Sequence, residues 1–567
     1  MGRRHRTERT ILKLLLIPLA GLILLIGIGI VGHRSYQQWE GHRLTRRAEA
    51  FFNSGDFKSA TLTAQRAVQL SQSNVGAYRI LARIAEHEGQ SSAIDLREAA
   101  LAANPGSSED LIALAQSALQ FNRTALAETA LAKLENAADQ KAAYHEGEAQ
   151  LAVVKKNPIA AEEHFAQAVK LEPSNKTYQF NLAAFHLQSA SSDVRASARK
   201  QLQMFANDKE LRLAAARTLR DYAAQSKNLP ALVEIGASLY RYPEATFRDR
   251  LSYIQVLHAL SHPDFAGKLK ELQDEAVNDS NKLTELLSWM AENGLAVFGI
   301  HWTKELRPEV VNQRPVPVAV ADCYVSARDW SGLEQWCNER DWRDLKFAMH
   351  AYLSKSMRER GNEIGSQSEW NLALHEAGSN GERIYSLEQA TAKWGWQSEA
   401  EELLWMLTNY PDKQNEAFAA LSRYYLLKGD TGNLYRVAAR ACKAAPNDES
   451  AQNNLAQLSL LLKINTDHAH ELAAGLYQKN STNPVCASTY GFSLYTKGQP
   501  QKAVQVMSQL SPDDLAKPAV AAYYGVFLAA VGNGSKAMEY LKIGMGAPLL
   551  PEEKALIENA QKKIGVR

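Results

Sequence analysis

Residues 490–507 read YGFSLYTKGQPQKAVQVM, and residues 524–541 read YGVFLAAVGNGSKAMEYL. Tyr490, Gly491, Leu494, Gly498, Ala503 and Met507 return 34 residues later as Tyr524, Gly525, Leu528, Gly532, Ala537 and Leu541. Six agreements at a single offset mark one structural unit written twice. In each copy a glycine, Gly498 or Gly532, falls at the turn, where positive φ costs a residue without Cβ little.

The same internal spacing continues upstream. Leu421, Ser422, Tyr425, Gly429, Leu434, Ala438, Ala441 and Pro446 form one copy, and Ala149, Ala152, Ala161, Phe165, Ala168 and Pro173 another. The earliest reads Leu44, Ala48, Phe51, Gly55, Phe57, Ala60, Ala64 and Ala67. Small residues such as Ala161 and Ala503 let two antiparallel helices approach, while the larger Phe51, Phe165 and Tyr425 fill the groove between neighbouring units.

This pattern resembles the tetratricopeptide repeat, in which a small residue and an aromatic lie on a first helix, Ala-x3-Phe on a second, and Pro follows. The resemblance covers most of residues 44–545 and implies an all-α chain of 12–15 helical pairs stacked as a right-handed superhelix with a concave binding face. Its core positions are then Phe51, Gly55, Ala60, Ala161, Phe165, Pro173, Tyr425, Gly429, Pro446, Gly491, Gly498, Ala503, Gly525, Gly532 and Ala537. Residues 189–212 and 243–285 fit the spacing poorly. Pro308, Pro315 and Pro317 mark 307–318 as a bent connection between an array over 44–306 and a second over 319–567, whose tail 551–564 reads as a capping helix.

The chain has 567 residues, 22% charged and 46% hydrophobic, with 32 Gly and 18 Pro, which argues against a disordered, collagen-like or polytopic membrane protein. Its net charge of +2 is uneven: nine basic and two acidic residues in the first 47 leave the remainder at −5. An acidic body gives no support to nucleic-acid binding. The basic excess surrounds Leu14–Val31, 18 consecutive residues that are apolar, Gly or Pro, enough to span about 27 Å as a helix. We therefore expect a basic tail over 1–10, a retained transmembrane helix over 11–32 and a linker over 33–43. The run exceeds a signal-peptide core, and the basic residues directly before it put the amino terminus in the cytoplasm and the body in a periplasmic or other non-cytoplasmic space. A cytoplasm-facing adaptor is the alternative. Gly27, Gly29 and Gly32 spell G-x-G-x-x-G, but inside a hydrocarbon-spanning run that is a helix of small residues and not a dinucleotide loop.

No phosphate loop, nucleophile elbow, H-E-x-x-H or C-x-x-C occurs, and neither catalysis nor a cofactor nor a metal is expected. His258 and His262 share an i, i+4 spacing, but Pro263 ends the helix at once and no third ligand has suitable spacing. Cys323 and Cys337 fall on the two helices of one unit; a bridge suits an oxidising space, and buried thiols are the preferred reading. A subset of tetratricopeptide proteins clamps a terminal carboxylate with Lys and Asn on one unit and Asn on the next. Asn181 and Asn454 match the second Asn, but Glu146 with Gln150, and Ala419 with Arg423, stand where the first pair belongs, so that clamp is not expected.

Nine of ten Trp lie between 289 and 405. Trp330, Trp336 and Trp405 fall at or near core positions, whereas Trp342, Trp370 and Trp394 do not, and these three are candidate ligand-contacting aromatics. The function expected is a membrane-tethered scaffold binding peptides or helices of protein partners in envelope, secretion or polysaccharide assembly, with glycan binding through the Trp-rich segment 289–405 as the alternative.

Overall fold

The computed structural model describes residues 36–134 and 141–565. The expected basic tail and transmembrane helix lie outside them. Among the described residues no helix is long and apolar enough to cross a membrane.

Every regular element described is a helix, and the helices fall into fifteen consecutive antiparallel pairs, from 36–53 with Phe57–Leu70 to Pro518–Ala530 with Gly534–Gly544. This is the tetratricopeptide-like all-helical array implied by the repeat. Its described residues divide into two compact units, with the boundary between Leu272 and Gln273. The division differs from the one expected at 307–318. That segment lies inside the second unit, holding the short helix Pro308–Val311, and the following helix Val316–Ala327 packs on both Ser280–Glu292 and Ala296–Glu305. The linker expected over 33–43 is likewise corrected: helix begins by residue 36 and runs on without a Pro break. Gly41 inside it is buried, and an added Cβ would come within 3.2 Å of the Asn74 side chain.

Local chemistry sets the helix ends. Side chains of Asp56, Asn74, Ser107, Asn157, Asn228, Asp430, Asp448 and Asn483 each accept a backbone N–H from the first turn of the following helix. Between the two helices of a pair the backbone passes through left-handed φ at Gly55, Gly89, Asn122 and Lys156, then at Lys227, Ser261, Gly294, Arg328, Gly361, Gly395, Gly429, Lys463, Gly498 and Gly532. Apart from the gap between Lys156 and Lys227, these positions recur every 33–35 residues. The repeat therefore continues through 243–285, where Ser261 makes the turn between Phe247–Ala259 and Phe265–Ala276. A non-glycine residue there costs about 1–2 kcal/mol and removes the glycine that would reveal it.

The expected close-packing positions Ala60, Ala161, Ala503 and Ala537 are fully buried, and Phe165 and Tyr425 nearly so. Phe51 is half-buried and packs against the cluster of Ala48, Ala60 and Ala64, whereas Pro173 and Pro446 are exposed in the turns after their helices, so these two are not core. The Cys323 and Cys337 thiols are free and buried, and burial pushes Cys323 up to about 12; they act as small apolar side chains.

Ion pairs link the first helices of successive pairs: Glu49 to Arg83, Arg79 to Asp110 and Arg217 to Asp249. Asp249 accepts from Arg217 Nε and Nη2 at 2.9 and 2.6 Å, and from the Thr246 N–H and hydroxyl at 2.9 and 2.8 Å. Burial pushes this carboxyl up, but the bonds from Arg217 and Thr246 outweigh it and hold it at about 2. A folded value below the unfolded one means stabilisation complete above the ordinary aspartate range and lost as pH falls towards 2. Allowing for solvent screening, its size is about 1–2 kcal/mol. Thermal melting of Asp249→Asn should accordingly fall less steeply between about pH 5 and pH 2 than that of the native chain; parallel acid limbs would refute this.

Candidate functional site

The site is built from three consecutive helices of the second unit: Gln414–Lys428, Thr431–Ala444 and Glu449–Leu462. The first two are held as a hairpin by Gly429 (φ 66°) and capped by Asp430; Asp448 caps the third through the N–H groups of Ser450 and Ala451. Between them, with Ala547–Leu550 as a fourth wall, lies a cavity of about 670 Å³. Small residues Ala419, Ala438, Ala441 and Ala451 make the space, and Phe418, Leu426, Leu434 and Leu549 give it an apolar surface. A few polar groups converge on it: Asn415, Arg423, Asn454, Gln457 and Glu553. Arg423 and Asn454 are exposed and make no side-chain hydrogen bond or ion pair among the described residues. An apolar hollow with a free cation and a free amide at its rim can seat an apolar anchor and bond a peptide backbone or carboxylate beside it.

The two positions compared with the carboxylate clamp differ. Ala419, Arg423 and Asn454 are brought together around the cavity, as their spacing suggested. In the first unit Glu146 is 3% exposed, and its Oε1 accepts from Gln150 Nε2 and Asn181 Nδ2, both at 2.8 Å. Burial pushes this carboxyl up, and Oε2 has no partner among the described residues. There the positions that would grip a ligand carboxylate hold an internal one, so no clamp forms.

The aromatic reading needs correction. Trp342 and Trp370 are each 2% exposed, and Trp394 is half-buried. Trp342 Nε1 donates to the Cys337 carbonyl at 3.1 Å, and its ring is 6.3 Å from Tyr352. The series continues from Tyr352 to Trp394 (5.5 Å), Trp396 (5.1 Å) and Trp370 (5.7 Å), and the Arg358 guanidinium lies 3.7 Å over Trp396. These rings cement consecutive pairs and leave no aromatic platform, because burial at a seam between units is set by the neighbouring unit and not by a residue's place within its own. Trp39 differs, being 56% exposed beside Tyr36 at 60%. His258 lies 4.9 Å from the Phe265 ring, and no group of three metal-ligating side chains occurs among the described residues.

Leu549, Leu550 and Glu553 were invisible as site residues, lying about a hundred positions beyond the helices they join. Only the returning chain places them there.

No family model and no curated protein sequence matches the chain. Among solved structures, one described as Pseudomonas aeruginosa pilF aligns over 39% of this chain and 97% of its own, at 17% identity and TM-score 0.29. Naa15/Naa10 bound to HypK-THB aligns over 93% and 94%, at 12% identity and TM-score 0.30. The APC/C hetero-tetramer Cut9-Hcn1 aligns over 91% and 98%, at 12% and 0.25. Likenesses at this level carry no functional argument.

Proposed function

We propose that this tetratricopeptide-type helical array is a membrane-tethered scaffold for protein partners, taking extended or helical segments on the face around residues 415–458 and serving envelope, secretion or polysaccharide assembly from the non-cytoplasmic side. The observation that carries the reading is the apolar cavity walled by small residues, with Arg423 and Asn454 beside it unpaired among the described residues. Such a site rewards a few anchors, and the rest of the face supplies fit. No catalytic role is assigned to it.

The tether is supported by the apolar run Leu14–Val31 and by the aromatic residues a few positions beyond it. Tyr36 and Trp39 stand exposed with ring centroids 6.3 Å apart, and the Arg43 guanidinium lies 5.6 Å over Trp39. Amphipathic rings with a basic neighbour are the chemistry enriched where a helix leaves a bilayer. The glycan alternative needs exposed rings in 289–405, and the burial of Trp342 and Trp370 removes its main support.

The test is photo-crosslinking in the native cell from a probe placed at Asn454. The expected result is one or a few protein adducts in the membrane fraction, reduced by about tenfold or more in Ala441→Trp, which fills the cavity and removes room for an anchor. Absence of any protein adduct, or full capture by the filled variant, would sink the reading.

A further inference from the structure

A stack of helical pairs ends in an apolar face that needs cover, and Pro551–Gly565 covers the last pair. It also does more than that. Besides Pro518–Ala530 and Gly534–Gly544, it touches Glu449–Leu462, a helix two pairs earlier in the chain. The reach is made by its first turn. Glu552 accepts from the Thr431 hydroxyl at 2.5 Å; Glu553 Oε1 accepts from the Tyr523 hydroxyl at 2.6 Å and from Gln457 Nε2 at 3.2 Å. Pro551 lies against Gly429, where an added Cβ would meet its ring at 3.4 Å. Behind this turn Ile557 and Ala560 are buried and Ile564 half-buried, a stripe at i, i+3 and i+7, while Lys554, Ala555, Glu558 and Asn559 face solvent.

These are the contacts of a helical ligand in a groove. Two carboxylates sit at the positive end of the helix, where its dipole favours them, and three different pairs supply their donors: Thr431, Gln457 and Tyr523. Glu553 Oε2 also accepts the Leu550 N–H at 2.9 Å, a local cap of the helix itself, but a plain cap needs no reach to Thr431. The attachment to the array is a non-helical stretch over 547–550, and this same stretch is one wall of the cavity described above.

We propose that the face carrying Thr431, Gln457 and Tyr523 is a helix-binding surface whose resident ligand is Pro551–Gly565, and that its external ligand is a partner's amphipathic helix with adjacent acidic residues in the first turn. The inference rests on the scaffold reading and names its ligand class and its regulation. While the chain's own helix is seated the surface is closed, and its departure takes 547–550 with it and widens the cavity. A helix joined to its receptor by so short a stretch as 547–550 has a high effective concentration, so a partner competes only when its own local concentration is comparable.

The full-length protein in detergent provides the test. In hydrogen exchange, amides of 551–565 should exchange at least about tenfold faster than those of 518–530, reporting release of the helix without unfolding of the pair beneath it. A labelled synthetic peptide of residues 547–565 should bind E552K/E553K at least about tenfold more tightly than the native protein, because the resident ligand is weakened while its receptor is untouched. The peptide carrying the same two lysines should bind neither. Equal protection of the two segments, equal peptide affinity for both proteins, or loss of protection over 518–530 in E552K/E553K would each show an integral cap and overturn the proposal. These results leave the reading of the Asn454 site standing, since that falls only if its crosslinks capture no protein.

Discussion

Trp370→Ala is expected to destabilise the second unit by about 3–5 kcal/mol, the cost of emptying a large core position. The ring is 2% exposed and meets Trp396 edge-on at 5.7 Å, so its removal opens a void between two helical pairs. Its Nε1 is buried without a hydrogen-bond partner among the described residues, which makes Trp370→Phe the informative control. Phenylalanine removes the unsatisfied N–H along with some volume and should cost only about 1 kcal/mol. Urea unfolding followed by far-UV circular dichroism measures both. A ligand-contacting tryptophan would behave in the opposite way, leaving the midpoint in place when truncated, and a shift worth less than about 1 kcal/mol for Trp370→Ala would restore that role.

The second large effect concerns two glycines of the repeated sequence that are glycine for different reasons. At Gly525 an added Cβ would lie 2.7 Å from Leu541 Cγ and 2.9 Å from the Leu541 backbone nitrogen. Leu541 is fully buried and the obstacle includes backbone, so Gly525→Val forces the two helices of the last pair apart. We expect a loss of about 3 kcal/mol, the upper end of overpacking costs. Gly498 has φ 74° and open space around it. Gly498→Ala pays only for a left-handed alanine, about 1–2 kcal/mol. Equal effects in the same urea experiment would mean that close approach is not what Gly525 provides.

The spacing that made the repeat legible near the carboxyl end depends on these glycines. Where Gly429, Gly498 and Gly532 stand at the left-handed turn, the sequence displays its period; where Lys156, Lys227, Ser261 or Arg328 adopts the same conformation, the period is present in the backbone and hidden in the letters. The segment 243–285 looked irregular for that reason, with Ser261 at its turn; the pair containing 189–212 has no left-handed turn residue, so there the backbone marker is missing as well. The candidate site was half legible. Arg423 and Asn454 stand at positions that a repeat can be read to place on one face, and they do line the cavity. Trp342 and Trp370 were misjudged because their partners, Tyr352 and Trp396, sit in other elements whose approach no single repeat encodes.

By itself the sequence determined that this chain folds as paired helices, since helix formation and turn chemistry act over a few residues and repeat with them. The tertiary structure alone decided which rings are buried, that Glu146 bonds Gln150 and Asn181 internally, and that Glu552 and Glu553 return to Thr431, Gln457 and Tyr523. Burial and partnership depend on surfaces contributed by residues tens to hundreds of positions away, and no local pattern carries that information.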